Sequence, residues 1–282
     1  MNKFRALMDH LRAEGLAPPG AVFEPEPAPL WWLELAHDSG YVADICGQTA
    51  SQDTMRRIGL PLSPELAQRS RCAVAGTVLA GQLALERGLA CNTAGGSHHA
   101  RHAEGAGFCV FNDVAVAARV LQAQGRAMEI LVIDLDVHQG DGTAEIFQGD
   151  ASVFTFSMHC EKNFPVRKVP GDRDVGLETG LGDSGYLAIL DEQLRDLLSG
   201  TKPDLVFYNA GVDPHADDRL GRLNLSDAGL AARDAMVIGA CLSRSLPLAC
   251  VIGGGYGKDI EALGRRHAIL HATADRLYRQ KT

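Results

Sequence analysis

The sequence predicts an α/β protein with a central, mostly parallel sheet that is flanked by helices on both faces. From residue 112 onwards, short apolar runs alternate with longer segments of helical periodicity. The chain of 282 residues is 46% hydrophobic, which is enough for a sizeable core. No internal repeat or linker-like segment divides the sequence. We therefore expect one domain over residues 1–282.

The first part of the chain contains two predicted helices. Apolar residues at helical spacing predict a helix over residues 3–14, and five prolines within residues 16–30 predict an extended loop. Ser63 as N-cap, followed by a proline, predicts a second helix that runs to Gly88. A glycine-rich turn follows at residues 91–99.

The rest of the chain alternates between strands and helices. We predict helix 112–124, strand 130–135, helix 141–148, strand 152–157, a long loop 159–184, helix 185–199, strand 204–209, helix 226–244, strand 248–252 and helix 259–278. Repeated units of this kind pair their strands in parallel. In such open sheets, ligands bind beyond the carboxyl ends of the strands.

Composition excludes several classes of partner. The formal charge of −8, without a long basic run, argues against a nucleic-acid groove or an anionic membrane surface. No segment reaches the ~18 consecutive apolar residues of a membrane span, and the charged N-terminus is unlike a secretory signal. Seven scattered cysteines without a C-x-x-C pair suit a reducing compartment, so we expect a cytoplasmic protein. The sequence carries no signal for a particular oligomeric state.

Polar residues at the ends of predicted strands suit a metal site. The run I-L-V-I-D-L-D-V-H-Q-G-D-G contains Asp134, Asp136 and His138, which share one face because alternate strand residues do. A later strand leads to Asp213. Asp136, His138 and Asp213 offer three ligands and leave positions for water and substrate, as in catalytic zinc sites, although Fe(II), Mn(II) or Co(II) also suit them. The alternative is three unrelated polar strand ends.

The adjacent histidines His98 and His99 are candidates for proton transfer. Asp134 and Asp141 are the available carboxylate partners, and a carboxylate on one ring nitrogen raises the basicity of the other. The alternative is a pair of solvated loop histidines.

Tyr256 follows three glycines, which let the backbone turn sharply and bring the phenol over the site. Its hydroxyl would stabilise an oxyanion. A packed tyrosine after a flexible turn is the alternative. Gly107 and Phe108 are candidates for the wall of a narrow channel.

Five motifs occur together in a fixed order: G-G-S-H-H-A, G-F-C-V-F-N-D, D-L-D-V-H-Q-G-D-G, Y-N-A-G-V-D and G-G-G-Y. In this combination the sequence resembles the zinc-dependent histone deacetylase superfamily, which also contains acetoin-utilisation proteins and acetylpolyamine amidohydrolases. The match covers nearly the whole chain. The segments E-R-G-L-A-C-N, N-F-P-V-R-K, L-G-D-S-G-Y-L and D-D-R-L-G-R-L resemble the class IV branch.

The resemblance implies the arginase-deacetylase fold and removal of acetyl or longer acyl groups from the lysine side-chain amine of proteins or peptides by metal-activated water. The implied residue roles are zinc ligation by Asp136, His138 and Asp213, a His98–His99 dyad supported by Asp134 and Asp141, carbonyl polarisation by Tyr256, acceptance from the substrate amide by Gly107 and a tunnel wall at Phe108. The implied structural potassium site comprises Asp134, Asp136, His138, Ser157 and Met158, with a second ion near Phe147 and Val153.

Three other functions are alternatives to this one. Hydrolysis of acetylpolyamines or other acetylated metabolites would use the same site, but this chain has Leu220 where polyamine-hydrolysing relatives can place a glutamate that contacts substrate. A non-catalytic acyl-lysine binding module would need a broken site, whereas all the candidate residues are present. An arginase-like dinuclear manganese hydrolase needs more ligands than the sequence offers.

Overall fold

One parallel sheet organises the molecule. The computed structural model describes residues 2–281, so the first and last residues of the predicted domain lie outside the described part. The strands are β1 Leu89–Cys91, β2 Ile130–Asp134, β3 Val153–Cys160, β4 Arg173–Leu177, β5 Leu205–Asn209 and β6 Leu248–Val251. Their order across the sheet is β1-β6-β5-β2-β3-β4, and every neighbouring pair is parallel. The predicted α/β class is confirmed.

Helices cover both faces of this sheet. They are α1 Asn2–Ala13, α2 Leu30–Leu33, α3 Ser39–Gly47, α4 Gln52–Ile58, α5 Pro64–Arg87, α6 Asp113–Ala123, α7 Asp141–Ile146, α8 Asp183–Gly200, α9 Asp227–Ser243 and α10 Ile260–Lys281. Strand β2 shows how the two faces are filled. Leu131 and Ile133 join the core beneath α8, α9 and α10, whereas Ile130 and Val132 join the core beneath α5 and α6. Because both faces are buried, the strand is apolar from Ile130 to Ile133 and does not alternate.

The predicted long loop over residues 159–184 is wrong. Strand β3 continues to Cys160, and β4 pairs with it along Arg173–Leu177. This strand lies at the edge of the sheet and its sequence, R-D-V-G-L, contains two charges and a glycine. It therefore lacks the apolar run that identified the central strands, and only its pairing with β3 in the structure shows that it is a strand.

Three short elements near the N-terminus and one strand were not predicted. Helices α2, α3 and α4 lie between the proline-rich loop and α5, and β1 lies directly after α5. The predicted helix 141–148 ends at Ile146. Each missed element has nine residues or fewer, so periodicity alone gives it little signal.

The chain reverses its direction across the sheet between β2 and β5. From β2 it continues through β3 to the edge strand β4, and from β5 it continues to β6 on the other side. Such a reversal point leaves a crevice beyond the carboxyl ends of the two central strands. The segments that follow β2, β5 and β6 all enter this crevice.

His37 anchors the loop that borders this crevice. The main-chain N–H of Asn112 donates to His37 Nε2 at 2.9 Å, so His37 Nδ1 carries the proton and donates to the carbonyl of Arg101, also at 2.9 Å. The neighbouring Tyr41 hydroxyl donates to Val110 O at 2.7 Å. These bonds fix both ends of the loop between Arg101 and Asn112, and they require a neutral imidazole.

We predict that His37 makes folding stability depend on pH. Burial lowers the pKa of His37 from 6.5 to about 4, so below pH 6.5 the unfolded chain takes up a proton that the folded chain refuses. The stability is present above pH 6.5 and is lost as the pH falls towards 4. Between pH 7.5 and pH 5.0 the loss is about 2 kcal/mol. In His37→Gln, the amide still accepts from Asn112 but does not titrate. The free energy of unfolding in urea should therefore fall by about 2 kcal/mol less between pH 7.5 and pH 5.0 than it does in the wild type. An identical pH dependence in both proteins would contradict this role.

Candidate active site

Three predicted metal ligands meet in the crevice. Asp136 and His138 follow β2, Asp213 follows β5, and all three are buried. His138 Nδ1 lies 3.0 Å from Asp136 Oδ1 and 3.2 Å from Asp213 Oδ2. Ligands of a tetrahedral zinc ion lie roughly 3.3–3.6 Å from one another, given bonds of about 2.0–2.2 Å. One ligand atom from each residue therefore fits around a single ion.

Main-chain amides hold the remaining carboxylate oxygens. The N–H of Gly254 donates to Asp136 Oδ2 at 2.7 Å, and the N–H of Val137 donates to Asp213 Oδ1 at 2.9 Å. Gly254 follows β6, and a Cβ there would collide with the carboxylates of both Asp136 and Asp213. A glycine is required at this position because the backbone that supplies the donor lies too close to the carboxylates to carry a side chain.

The charges of this cluster call for a cation. Burial and the nearby Asp136 carboxylate raise the pKa of Asp213 to about 7. Burial lowers the pKa of His138, but its bonds to Asp136 and Asp213 outweigh burial and raise it to about 10. A proton on His138 thus balances the carboxylates. A divalent ion would take the place of that proton, as metals do when they bind imidazole and carboxylate groups.

His98 and His99 lie beside this cluster, each with its predicted partner. His98 Nδ1 is 2.7 Å from Asp134 Oδ2, and His99 Nδ1 is 2.6 Å from Asp141 Oδ1. The two rings are 4.2 Å apart between centroids, and His98 Nε2 lies 3.6 Å from Asp136 Oδ1. Each supporting carboxylate binds the Nδ1 atom of its histidine, so the Nε2 atom of each ring makes no bond to that carboxylate.

The two histidines differ in protonation. Burial lowers the pKa of His98, but the charges of Asp134 and Asp136 outweigh it and raise the pKa to about 9. Burial and the neighbouring His98 lower the pKa of His99 to about 4. The partner of His99, Asp141, also accepts from Arg101 Nε at 3.2 Å and from its terminal nitrogen at 2.8 Å. Near neutral pH, His98 is a cation and His99 is a neutral base.

Tyr256 stands over the cluster with its backbone fixed by Asp218. Its ring centroid is 6.3 Å from that of His138, and its N–H donates to Asp218 Oδ2 at 2.6 Å. Asp218 Oδ1 accepts from the N–H groups of Leu220 and Gly221. Burial, with the charges of Asp213 and Asp136, raises the pKa of Tyr256 well above its ordinary value. The phenol therefore keeps its proton and can donate it in a hydrogen bond.

Aromatic rings form the walls of the approach to the cluster. Phe108 lies 5.7 Å from Tyr256 between centroids, and Phe164 packs edge-to-face on His99 at 4.8 Å. Phe108 has φ = 68°, a strained conformation for a residue other than glycine, and its N–H donates to Ile58 O at 2.7 Å. The adjacent Gly107 packs so closely on the His99 ring that a Cβ would lie 2.6 Å from it.

The other predicted residues surround this centre. Leu220 is half-exposed, and its carbonyl accepts from the Asn163 side chain at 2.7 Å. Asp134 and Ser157 line a cavity of about 10 Å³. Met158 is buried on β3, Val153 begins that strand, and Phe147 follows α7.

Several residues that contact the site were not predicted from the sequence. Asn209 donates to Asp134 Oδ1 at 3.0 Å, and Lys3 donates to Gly253 O at 3.1 Å with its ammonium 5.8 Å from the Tyr256 ring centre. Asp218 and Phe164 lie within segments that were recognised only as similar to class IV sequences. Within those segments, the adjacent carboxylates Asp217 and Asp218 gave no sign of which one faces the cluster, and nothing distinguished Phe164 as a wall of the approach.

Comparisons with known proteins agree with the motifs. Residues 1–272 match the family model described as a histone deacetylase domain. The chain is 54% identical over 99% of its length to an uncharacterized protein of Picosynechococcus sp., of which it covers 93%. It is 31% identical over 92% of its length to histone deacetylase 2 of Arabidopsis thaliana, covering 69% of that protein. The crystal structure of a histone deacetylase homologue from Aquifex aeolicus superposes with a TM-score of 0.81, at 25% identity, over 97% of this chain and 81% of that one.

Within residues 2–281, no helix combines the length and apolar character that a membrane span requires.

We predict that the purified protein binds one divalent ion per chain at Asp136, His138 and Asp213. Asp136→Asn removes a charged ligand while keeping its shape, so tight binding of Zn²⁺ or Co²⁺ and the rise in melting temperature on adding metal should both be lost. Asp217→Asn, an exposed residue in the loop after Asp213, is the matched control and should bind one ion. Metal analysis and thermal unfolding measure both. One tightly held ion per chain in Asp136→Asn would refute this ligand set.

Proposed function

Because this chain belongs to the histone deacetylase family and has the arginase-deacetylase fold, we propose that it is a metal-dependent amidohydrolase that removes acetyl or longer acyl groups from lysine side chains of proteins or peptides. One observation carries the proposal. A three-ligand cluster, two carboxylate-bound histidines and a protonated tyrosine converge in one buried crevice. Each of these groups has a role in amide hydrolysis.

Zinc is the preferred cofactor, held by Asp136, His138 and Asp213, although Fe²⁺ or another divalent ion also suits these ligands. When bound, such an ion lowers the pKa of a water molecule and polarises a carbonyl oxygen. A structural potassium ion at Asp134, Asp136, His138, Ser157 and Met158 is part of the same proposal. The small cavity lined by Asp134 and Ser157 supports it.

The two histidines have different roles, and His99 is the one that transfers the proton. His99 is neutral near pH 7, so its free Nε2 can take a proton from the attacking water. It can then return that proton to the departing amine. His98 has a pKa of about 9 because the charges of Asp134 and Asp136 outweigh burial, so it supplies positive charge beside the reacting centre.

Tyr256 would donate a hydrogen bond to the carbonyl oxygen as negative charge develops on it. Its backbone is tied by Asp218 to the loop that follows Asp213, which fixes the phenol relative to the metal ligands. Lys3 Nζ lies beside the ring, 5.8 Å from its centre, and burial lowers the pKa of this amine. The tyrosine therefore acts from a turn that is anchored at several points.

The approach suits an aliphatic chain. The rings of Phe108 and Phe164 offer apolar walls to the methylenes of an acyl-lysine, while the carbonyl of Gly107 is the proposed acceptor for the substrate amide. Leu220 at the rim offers no carboxylate to a polyamine. These contacts favour acylated lysine over a polycationic substrate.

We extend the proposal to the organisation and location of the protein. Residues 1–282 would act as a single catalytic domain, because strands between residues 89 and 251 all join one sheet. Seven cysteines with free thiols suit the cytoplasm, where thiols remain reduced. The acidic chain would bind neither nucleic acid nor membrane.

We predict hydrolysis of acyl-lysine peptides that depends on metal. A panel of acetyl-lysine and longer acyl-lysine peptides, with acetylpolyamines for comparison, should show release of the acyl group from at least one peptide. A chelator should abolish turnover and added Zn²⁺ should restore it. Turnover of acetylpolyamines alone would assign a small-molecule deacetylase, and full turnover after chelation would exclude the metal-dependent mechanism. Binding of every peptide without turnover would point to a non-catalytic module.

We predict that Tyr256→Phe lowers kcat by about 100- to 1000-fold with metal binding retained, as expected for loss of one oxyanion donor. Asp218→Ala, which frees the Tyr256 backbone, should also lower kcat in the wild-type background. In the Tyr256→Phe background it should have little further effect, since the phenol that Asp218 positions has already lost its hydroxyl. Steady-state kinetics of the four proteins test this coupling. Independent, multiplicative losses would show that Asp218 does not act through Tyr256.

A further inference from the structure

Arg233 and Asp234 form a buried ion pair on α9, next to the ends of the central strands. Neither residue is more than 1% exposed. Asp234 Oδ1 accepts from Arg233 Nε at 3.0 Å and from the Tyr208 hydroxyl at 2.6 Å. The cost of removing two charges from water offsets most of their attraction, so such a pair is weak evidence for stability. The other contacts of the guanidinium say more about the role of Arg233.

The remaining donors of Arg233 bind main-chain carbonyls from two different strand ends. They contact Gly211 O at 2.6 Å, Leu135 O at 3.3 Å and Ala210 O at 3.4 Å. Leu135 lies directly before Asp136, and Gly211 lies two residues before Asp213. The last main-chain bond between these two strands runs from the N–H of Leu135 to the carbonyl of Asn209 at 3.0 Å, and the guanidinium bridges the two segments just beyond it.

Gly211 also touches Asp136 itself. A Cβ at Gly211 would collide with the Asp136 carboxylate and would lie 3.0 Å from Asp136 Cα. The main chain that leads to one ligand is therefore packed against the other ligand. A small shift of Gly211 away from Arg233 would change the separation of Asp136 and Asp213.

We infer that Arg233, held by Asp234, is a positioning residue that sets the separation of Asp136 and Asp213 and thereby the metal affinity of the site. This inference rests on the proposed metal-dependent function. Its chemistry requires arginine, since a planar guanidinium presents several fixed donors to two strand ends at once. The single ammonium of a lysine would satisfy only part of this set.

The test compares metal binding in folded variants. In R233M/D234L/Y208F, apolar side chains of similar size replace the ion pair and its tyrosine hydroxyl, a type of exchange that folded proteins tolerate. R119M/D150L serves as control, because it removes a half-buried ion pair between Arg119 on α6 and Asp150 in the turn before β3. Circular dichroism and urea unfolding of the metal-free proteins report folding. Co²⁺ titration, followed by visible absorption, reports affinity and ligand geometry.

We expect R233M/D234L/Y208F to bind Co²⁺ about 10- to 100-fold more weakly than wild type, with an altered absorption band, as is typical when groups behind metal ligands are removed. The control should keep the wild-type affinity and spectrum. A folded triple variant with wild-type affinity and spectrum would overturn the inference. If that variant does not fold, Arg233→Lys decides: about 10-fold weaker Co²⁺ binding supports the role and unchanged binding overturns it. Failure of the wild-type protein to bind Co²⁺ would instead refute the proposed metal site.

Discussion

Burial of four carboxylates at one edge of the sheet is the constraint on which the rest of the site depends. Asp134, Asp136, Asp141 and Asp213 are each no more than 3% exposed. A buried charge without partners is very costly, so each carboxylate needs donors or cations within reach. Imidazoles, one guanidinium and several main-chain amides supply them. In the segments after β2 and β6, main-chain amides turn towards these oxygens instead of continuing the sheet.

The same constraint explains how much the sequence could predict. Asp136 and His138 were predictable because a strand places alternate residues on one face, and Asp213 was predictable because parallel strands end at a common edge. The contacts of Asp218 and Asn163 were not predictable. Asp218 binds Tyr256, 38 residues away, and Asn163 binds Leu220, 57 residues away, and all of these residues lie in irregular segments. No periodicity records which polar residue of a loop faces inward. The strand β4 was missed for a related reason, because an edge strand with charged residues lacks the apolar signal of the central strands.

The histidine pair shows how a neighbour changes the chemistry of two similar groups. From the sequence, His98 and His99 are alike: adjacent rings, each with one aspartate. The structure adds Arg101 to Asp141, whereas Asp134 accepts from the neutral amide of Asn209. A carboxylate whose charge is already paired with a guanidinium stabilises an imidazolium less, and His98 repels a second positive charge. Burial lowers the pKa of both histidines, but at His98 the charges of Asp134 and Asp136 outweigh it, whereas at His99 the charge of His98 adds to it.

The metal ligands are supported from two sides. On one side, the amides of Val137 and Gly254 fix the outer oxygens of Asp213 and Asp136. On the other, Arg233 binds the carbonyls of the segments that carry these aspartates. Ligands held in this way need little rearrangement when an ion binds, which favours affinity and a fixed geometry. Such close support leaves no room for a side chain at Gly211 or Gly254, so both glycines belong to the proposed metal site although neither offers a ligand atom.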